Sequence, residues 1–341
     1  MTGTPSSDRG FLHRFVPSQI HDPFGLARRL LATGDRAAYF AMGAAALGVA
    51  AAPLDLLLSI WERRRLARAP DPRWPIYLVC GPPRSGTTLV AQTLIGSLPV
   101  GYFANITSIF PRAPLTATRL SGIAGRRPAS GYRSYYGRTR GWAGPNDALY
   151  FWDRWLGPAR DRVPTGLSDS AGRAMRAFFG GFEATLGRPI VAKNNNLIGS
   201  AHLVADALPT ARFIALERAP LFQAQALLRA RRDIHGIEEV PYGLHDHGGP
   251  ADPIESVCRQ VAFLSGLVRA QRQRLGDRFQ ILSYEAFCAD PGRIVSSVAT
   301  ELAGALGRPV PIPRIEPFRA SASPSLPPAE LDRIRRLLNL A

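Results

Sequence analysis

Between Tyr77 and Leu94 the chain reads Y-L-V-C-G-P-P-R-S-G-T-T-L-V-A-Q-T-L, and no other stretch restricts the fold as much. An apolar run, Ile76 to Cys80, meets a loop holding Gly81, Pro82, Pro83 and Gly86. Apolar residues then recur at helical spacing through Leu89, Val90 and Leu94. A strand that passes through a glycine-bearing loop into a helix cradles a phosphate. The first helical turn leaves backbone N–H groups without partners, and the helix dipole favours negative charge there. Ser85, Thr87 and Thr88 add hydroxyl donors, and Arg84 puts a cation inside the loop.

Strand and helix patterns alternate again from Pro189. Short strands are expected at Ile190 to Ala192, Ala211 to Leu216 and Phe279 to Ser283. Helices are expected at Gly199 to Ala207, Pro220 to Arg231, Pro253 to Leu275 and Pro291 to Leu306. This alternation predicts an α/β fold with a central parallel sheet covered by helices on both faces. Ligands in such sheets sit beyond the C-terminal strand ends, here just after residues 80, 192, 216 and 283. The second end carries Lys193-Asn194-Asn195-Asn196. Lys193 is the one lysine among 42 Lys and Arg, so it marks a place where a compact point charge is wanted. The third carries Glu217-Arg218-Ala219-Pro220, and the fourth Tyr284-Glu285, with Glu285 expected to cap the following helix.

The glycine loop is one residue away from a nucleoside triphosphatase motif. G-x-x-x-x-G-K-[ST] needs lysine where this chain has Thr87. With the cation at Arg84 instead, P-R-S-G-T-T-L resembles the 5′-phosphosulfate loop of sulfotransferases that use PAPS (3′-phosphoadenosine 5′-phosphosulfate). Arginine in that loop occurs in the carbohydrate and tyrosyl-protein branches. The resemblance implies a P-loop-like α/β domain and sulfuryl transfer from PAPS to a hydroxyl of a carbohydrate, lipid or small metabolite. It implies that Pro83, Arg84, Ser85, Gly86, Thr87 and Thr88 bind the donor. Arg218 would hold its 3′-phosphate and Tyr284 would lie near the adenine. The family usually has serine eight residues after that arginine; Ala226 stands there, with Gln223 and Gln225 nearby as replacement donors.

Transfer needs a neutralised leaving phosphate, an in-line SO₃ group and a base for the acceptor hydroxyl. Arg84, Lys193 and the loop N–H groups suit the first two. For the base, the tyrosyl-protein branch has a glutamate after the loop helix, ahead of a Pro-Arg pair. Asn105 occupies that place before Pro111-Arg112, so Asp147 is the replacement candidate, with His202 and Asp153 behind it. Two other readings stay open. One is a kinase or NTPase using Glu217 as a Walker-B-like acid; the other is a non-catalytic, membrane-associated nucleotide binder.

The formal net charge of +16 suits anionic ligands and membranes. No helix-turn-helix, zinc-finger or aromatic RNA-binding signature accompanies it, so nucleic acid is not an expected partner. Cys80, Cys258 and Cys288 form no C-x-x-C pair, which argues against a disulfide framework or zinc site. His245-Asp246-His247 lies in a Gly- and Pro-rich loop without a third ligand at helical spacing. It reads as a solvated loop, and no metal is expected.

Residues 1–70 read as an extension before the α/β domain at 71–341, with Pro70 to Pro75 as linker. Residues 1–24 are polar and carry no secretory signal pattern. Ala37 to Leu54 is uncharged, half of it alanine, and flanked by arginines. A short membrane span, a helix lying on a membrane or partner, and a helix docked on the enzyme's own body all fit. Membrane association through residues 37–61 would place the chain in the cytoplasm, attached to the anionic cytoplasmic leaflet by Arg63 to Arg68. Residues 121–146 look like an irregular lid bearing Tyr132, Tyr135, Tyr136 and Trp142, while Ala148 to Trp155 reads as aromatic core packing.

Overall fold

The computed structural model describes residues 22–122, 132, 134, 137, 139–249 and 251–340. Four strands, β1 (Ile76–Cys80), β2 (Ile190–Lys193), β3 (Ala211–Glu217) and β4 (Phe279–Ser283), pair in parallel in the order β2-β1-β3-β4. Ile76 lies opposite Ile190 on one side and Ala211 on the other. All of β1 is buried, as expected of a parallel sheet covered on both faces. Its period of two shows in where the side chains go. Ile76, Leu78 and Cys80 join one core layer, and Tyr77 and Val79 join the other. The chain leaves β1 for β2, then crosses back to β3, so the strand order reverses at β1. That reversal opens a crevice beyond the strand ends.

The N-terminal helices are α1 (Pro23–Ala32), α2 (Arg36–Ala50) and α3 (Ala52–Ala67). After β1 come α4 (Thr87–Ser97), α5 (Ile106–Ile109), α6 (Pro114–Leu120), α7 (Leu149–Leu156) and α8 (Asp169–Leu186). Helix α9 (Leu197–Ala207) joins β2 to β3; α10 (Pro220–Ala230) and α11 (Pro253–Leu275) join β3 to β4. The chain ends in α12 (Tyr284–Ala289), α13 (Pro291–Leu306) and α14 (Pro328–Leu337). The strongly patterned elements match their sequence expectations to within a turn. The aromatic stretch before Trp155 is core: Phe151 and Trp155 pack on Phe178 of α8 at ring distances of 4.6 and 5.1 Å.

The uncharged stretch Ala37 to Leu54 is not one helix. It breaks at Ala51, and α2 and α3 meet at 73°. Among the described residues no single helix is long and apolar enough to cross a membrane, although the bent pair qualifies by length and composition. Helix α3 is inside-out. Asp55, Ser59 and Glu62 are buried, whereas Leu54, Leu57, Ile60 and Trp61 are exposed. The acids face inward because they satisfy backbone donors. Asp55 accepts from Arg112 N at 3.0 Å, and Glu62 from Leu115 N at 3.0 Å and Thr116 N at 2.9 Å. Glu62 thereby caps α6, whose own N-cap is Ala113 and supplies no side-chain acceptor. Burial raises the Glu62 carboxyl, and the Thr116 hydroxyl and the backbone donors pull it back. So the inner face of α3 docks on the chain's own body. Glu62→Ala should lower the unfolding free energy by roughly 1–3 kcal/mol, read from urea denaturation. Unchanged stability would contradict the capping role.

Candidate active site

The loop between β1 and α4 is packed too closely for ordinary residues. A Cβ at Gly81 (φ 149°) would lie 2.7 Å from Leu216 O, and one at Gly86 (φ 102°) 2.5 Å from the Tyr284 ring. Arg84 also takes the left-handed region (φ 70°), which costs a side-chain-bearing residue about 1–2 kcal/mol. Such strain concentrates at ligand-binding loops. Gly86 gives α4 no side-chain cap, which leaves first-turn N–H groups for a ligand.

A cavity of about 310 Å³ opens at this turn and draws its walls from all four strand ends. Pro83, Arg84, Gly86, Thr87, Thr88, Asp147, Lys193, Arg218 and Tyr284 line it, so nearly the whole expected set converges. Ser85 does not. Its side chain is fully buried and lies toward Gly81, and its N–H closes a turn onto Pro82 O at 3.1 Å. Its hydroxyl is therefore not among the groups that line the cavity.

At the second strand end, Lys193 Nζ lies 2.6 Å from Asp147 Oδ2, with the lysine side chain buried. A Cβ placed on Gly137 would come within 3.8 Å of Asp147, Lys193 and Thr88 together, which shows how tightly the three meet. Asp147 is held by its neighbours. Asn146 Oδ1 accepts from Ala148 N at 2.7 Å, in a turn where Ala148 has φ 48°, and Asn146 Nδ2 donates to Asn105 Oδ1 at 2.8 Å. Asn105 Nδ2 in turn donates to Thr139 O and Gly141 O. A glutamate carboxylate there could not donate to two carbonyls, so asparagine suits the post. The other amides line the wall: Thr87 Oγ1 donates to Asn195 Oδ1 at 2.8 Å, and Asn196 Nδ2 to Arg160 O at 2.8 Å. The two reserve base candidates lie outside the cavity wall. Asp153 is gripped bidentately by Arg160, and His202 is bound to Gln271.

At the third end, the Arg218 guanidinium stacks 5.0 Å over the Tyr284 ring and donates to Arg84 O at 3.1 Å and to Ser321 O. Burial lowers its pKa, with Tyr284 and Glu285 opposing. Residues 318–325 form a strap over this corner. Ser321 N donates to the Tyr284 hydroxyl, and Gln225 brackets the strap through Ser323 O and Ser325 N. Gln223 donates to Pro83 O. Both glutamines are thus committed to backbone and absent from the cavity wall, which corrects their reading as phosphate donors. Glu285 is corrected too. It accepts from Ala219 N at the start of α10, while Ser283 caps α12 and Asp290 caps α13.

Glu217 lies outside the cavity wall, and burial raises its carboxyl. The wall also holds Arg160, Tyr242, Gly243 and Ser321, which no local motif marked. Gly243 has φ 82° and would clash with Pro83 at 2.7 Å if it bore a Cβ. Of the lid aromatics, Tyr132 reaches the cavity, whereas Trp142 packs on Phe40 of α2 at 4.8 Å. Tyr135 and Tyr136 lie outside the described residues.

A model of the sulfotransferase family matches residues 75–303, more than half of the chain and all four strands. The chain belongs to the sulfotransferase family. Among solved structures it is similar to sulfotransferase STF9 from Mycobacterium avium, at 16% identity over 96% of this chain and 85% of that one, with a TM-score of 0.48. Sulfotransferase STF1 from Mycobacterium tuberculosis H37Rv is similar at 12% identity, covering 92% and 91%, with a TM-score of 0.47. The sulfotransferase domain of the Synechococcus PCC 7002 olefin synthase gives 16% identity over 71% and 77%, at 0.35. No curated protein matches the chain. In this sulfotransferase the position of a triphosphatase lysine is a neutral threonine tied to Asn195, and the kinase reading loses its phosphate clamp.

Proposed function

We propose that this sulfotransferase moves a sulfuryl group from PAPS to a hydroxyl of a carbohydrate, lipid or small metabolite, in the manner of the branches with arginine in the loop. The observation that carries the reading is the charge layout of one cavity. Thr87 is neutral at the helix mouth, while Arg84, Lys193 and Arg218 stand around it. First-turn N–H groups of α4, with Arg84, receive the 5′-phosphosulfate end. Arg218, beside Tyr284, receives the 3′-phosphate; a phosphate is a stronger acceptor for its guanidinium than the Arg84 and Ser321 carbonyls it now holds. Lys193 sits where negative charge builds on the oxygen bridging phosphorus and sulfur. Its compact ammonium stabilises that charge without reorganising. The new bond joins acceptor oxygen to sulfur, the bridging S–O bond breaks with its electron pair left on phosphate, and Asp147 takes the hydroxyl proton. The fixed cations supply the charge, so transfer calls for no metal.

The exposed face of α3 supports attachment to the cytoplasmic face of an anionic membrane. Leu57, Ile60 and Trp61 share that face with Arg64 and Arg68, which lie on the next turns. Apolar side chains flanked by exposed arginines match an anionic bilayer, the arginines meeting headgroups while the apolar groups enter the interface.

Titration calorimetry with PAP, the desulfonated product, and with Mg-ATP tests the donor assignment. PAP should bind without a divalent ion. Arg218→Ala should weaken PAP by roughly 10–150-fold, the worth of a charged hydrogen bond, and adenosine 5′-phosphosulfate much less. Tight binding of Mg-ATP alone would contradict it. For the membrane, phosphatidylserine vesicles should sediment the protein, phosphatidylcholine vesicles should not, and Trp61→Glu should abolish the difference. A concentration-dependent dimer sealed by the same residues, with no vesicle binding, would overturn the attachment.

A further inference from the structure

Away from the donor cavity, two loops bring three ligand-type side chains together. His245 and His247 come from the loop before α11, and Asp161 from the loop after α7. One ring nitrogen of each histidine and a carboxylate oxygen of Asp161 all lie within 4.8 Å of one another. His247 Nε2 is 3.7 Å from Asp161 Oδ2, and the two imidazole rings are 4.2 Å apart. Among the described residues this is the one such group of three. The sequence reads His245-Asp246-His247 as a solvated loop because the third ligand is not at local spacing; the fold supplies it from a distant segment.

The surroundings are those of a built site. His245 Nδ1 lies 3.1 Å from Gly243 O, a contact in which only the ring can donate, so Nε2 keeps its lone pair. A histidine that ligates a metal commonly gives its other ring N–H to a backbone carbonyl in this way. His245 N also donates to Asp161 O at 3.3 Å, joining the two loops directly. Beneath them, buried Gln260 donates to Tyr242 O and Leu244 O, at 3.0 and 2.8 Å, and holds the histidine loop in place. Asp246, between the histidines, turns aside to Arg259 at 2.7 Å. The two histidines, though not Asp161, also border a cavity of about 200 Å³ that Gln260 helps to line.

We propose that Asp161, His245 and His247 bind a divalent transition metal, zinc above all. Two imidazoles and one carboxylate are a borderline donor set of the kind zinc takes, with bonds of roughly 2.0–2.2 Å. Ligand atoms around such an ion stand roughly 3–3.5 Å apart, so small rotations close the present group onto it. The metal is a clip, apart from sulfuryl transfer. Asp161 follows Arg160, and His245 follows Tyr242 and Gly243, all three of which line the donor cavity. Zinc therefore fastens two segments of that wall to each other. The inference stands independently of the donor and acceptor assigned above.

The test uses untagged, full-length protein stripped with EDTA and titrated with zinc chloride. One equivalent should bind, and heating in zinc should raise the melting temperature. Asp161→Asn, His245→Gln and His247→Gln should each weaken binding at least about tenfold. No saturable binding, or affinity unchanged in all three variants, overturns the site. Should the variants fold poorly, the cobalt-substituted wild type decides the matter. Its spectrum should show nitrogen and oxygen ligands only, and a thiolate charge-transfer band would place the ion on a cysteine and refute the proposal.

Discussion

Everything in the cavity depends on one packing constraint: the loop after β1 must lie directly against β3 and the Tyr284 ring. Gly81 touches Leu216, and Gly86 touches Tyr284, at separations no Cβ allows. That contact holds the first turn of α4 open, with no side-chain cap filling it. It also fixes Arg84, whose left-handed backbone carries its carbonyl to Arg218. The loop, the third strand end and the fourth are thus one unit, and the strap at 318–325 closes it.

Polar groups elsewhere serve the backbone before they serve chemistry. Asn105, Gln223 and Gln225 spend their amides on carbonyls or N–H groups of other segments. Asp55 and Glu62 do the same for the turn into α6, and in doing so they roll the apolar side of α3 outward. Buried backbone donors demand such partners, and a short connecting loop rarely provides its own. The consequence is a division of labour. Lys193, Asp147 and Arg84 line the cavity wall while amides and structural acids carry the framework.

The sheet and most of the site were legible because their signals are local. Parallel strands read as short apolar runs, each strand end carries its own marked residue, and Lys193 stands out in an arginine-rich chain. Asp147 was within reach as an acid just before an aromatic helix. What the local sequence did not reveal depends on distant segments. Ser85 is turned inward by a loop that packs on β3, and Glu285 bonds across to α10. Gln225 is claimed by a strap a hundred residues away in sequence and Gln223 by the carbonyl of Pro83, and Arg160 and Tyr242 arrive on loops with no motif. Ala37 to Leu54 left three placements open because lack of charge does not reveal a bend, which comes from the break at Ala51 and the proline that follows.

A crystal structure with PAP bound tests the central claim most directly. The expected result is the 5′-phosphate against the first-turn N–H groups of α4, Lys193 Nζ within hydrogen-bond reach of it, and Arg218 on the 3′-phosphate. PAP seated elsewhere, or a single ligand that these three cations do not surround, would contradict the account.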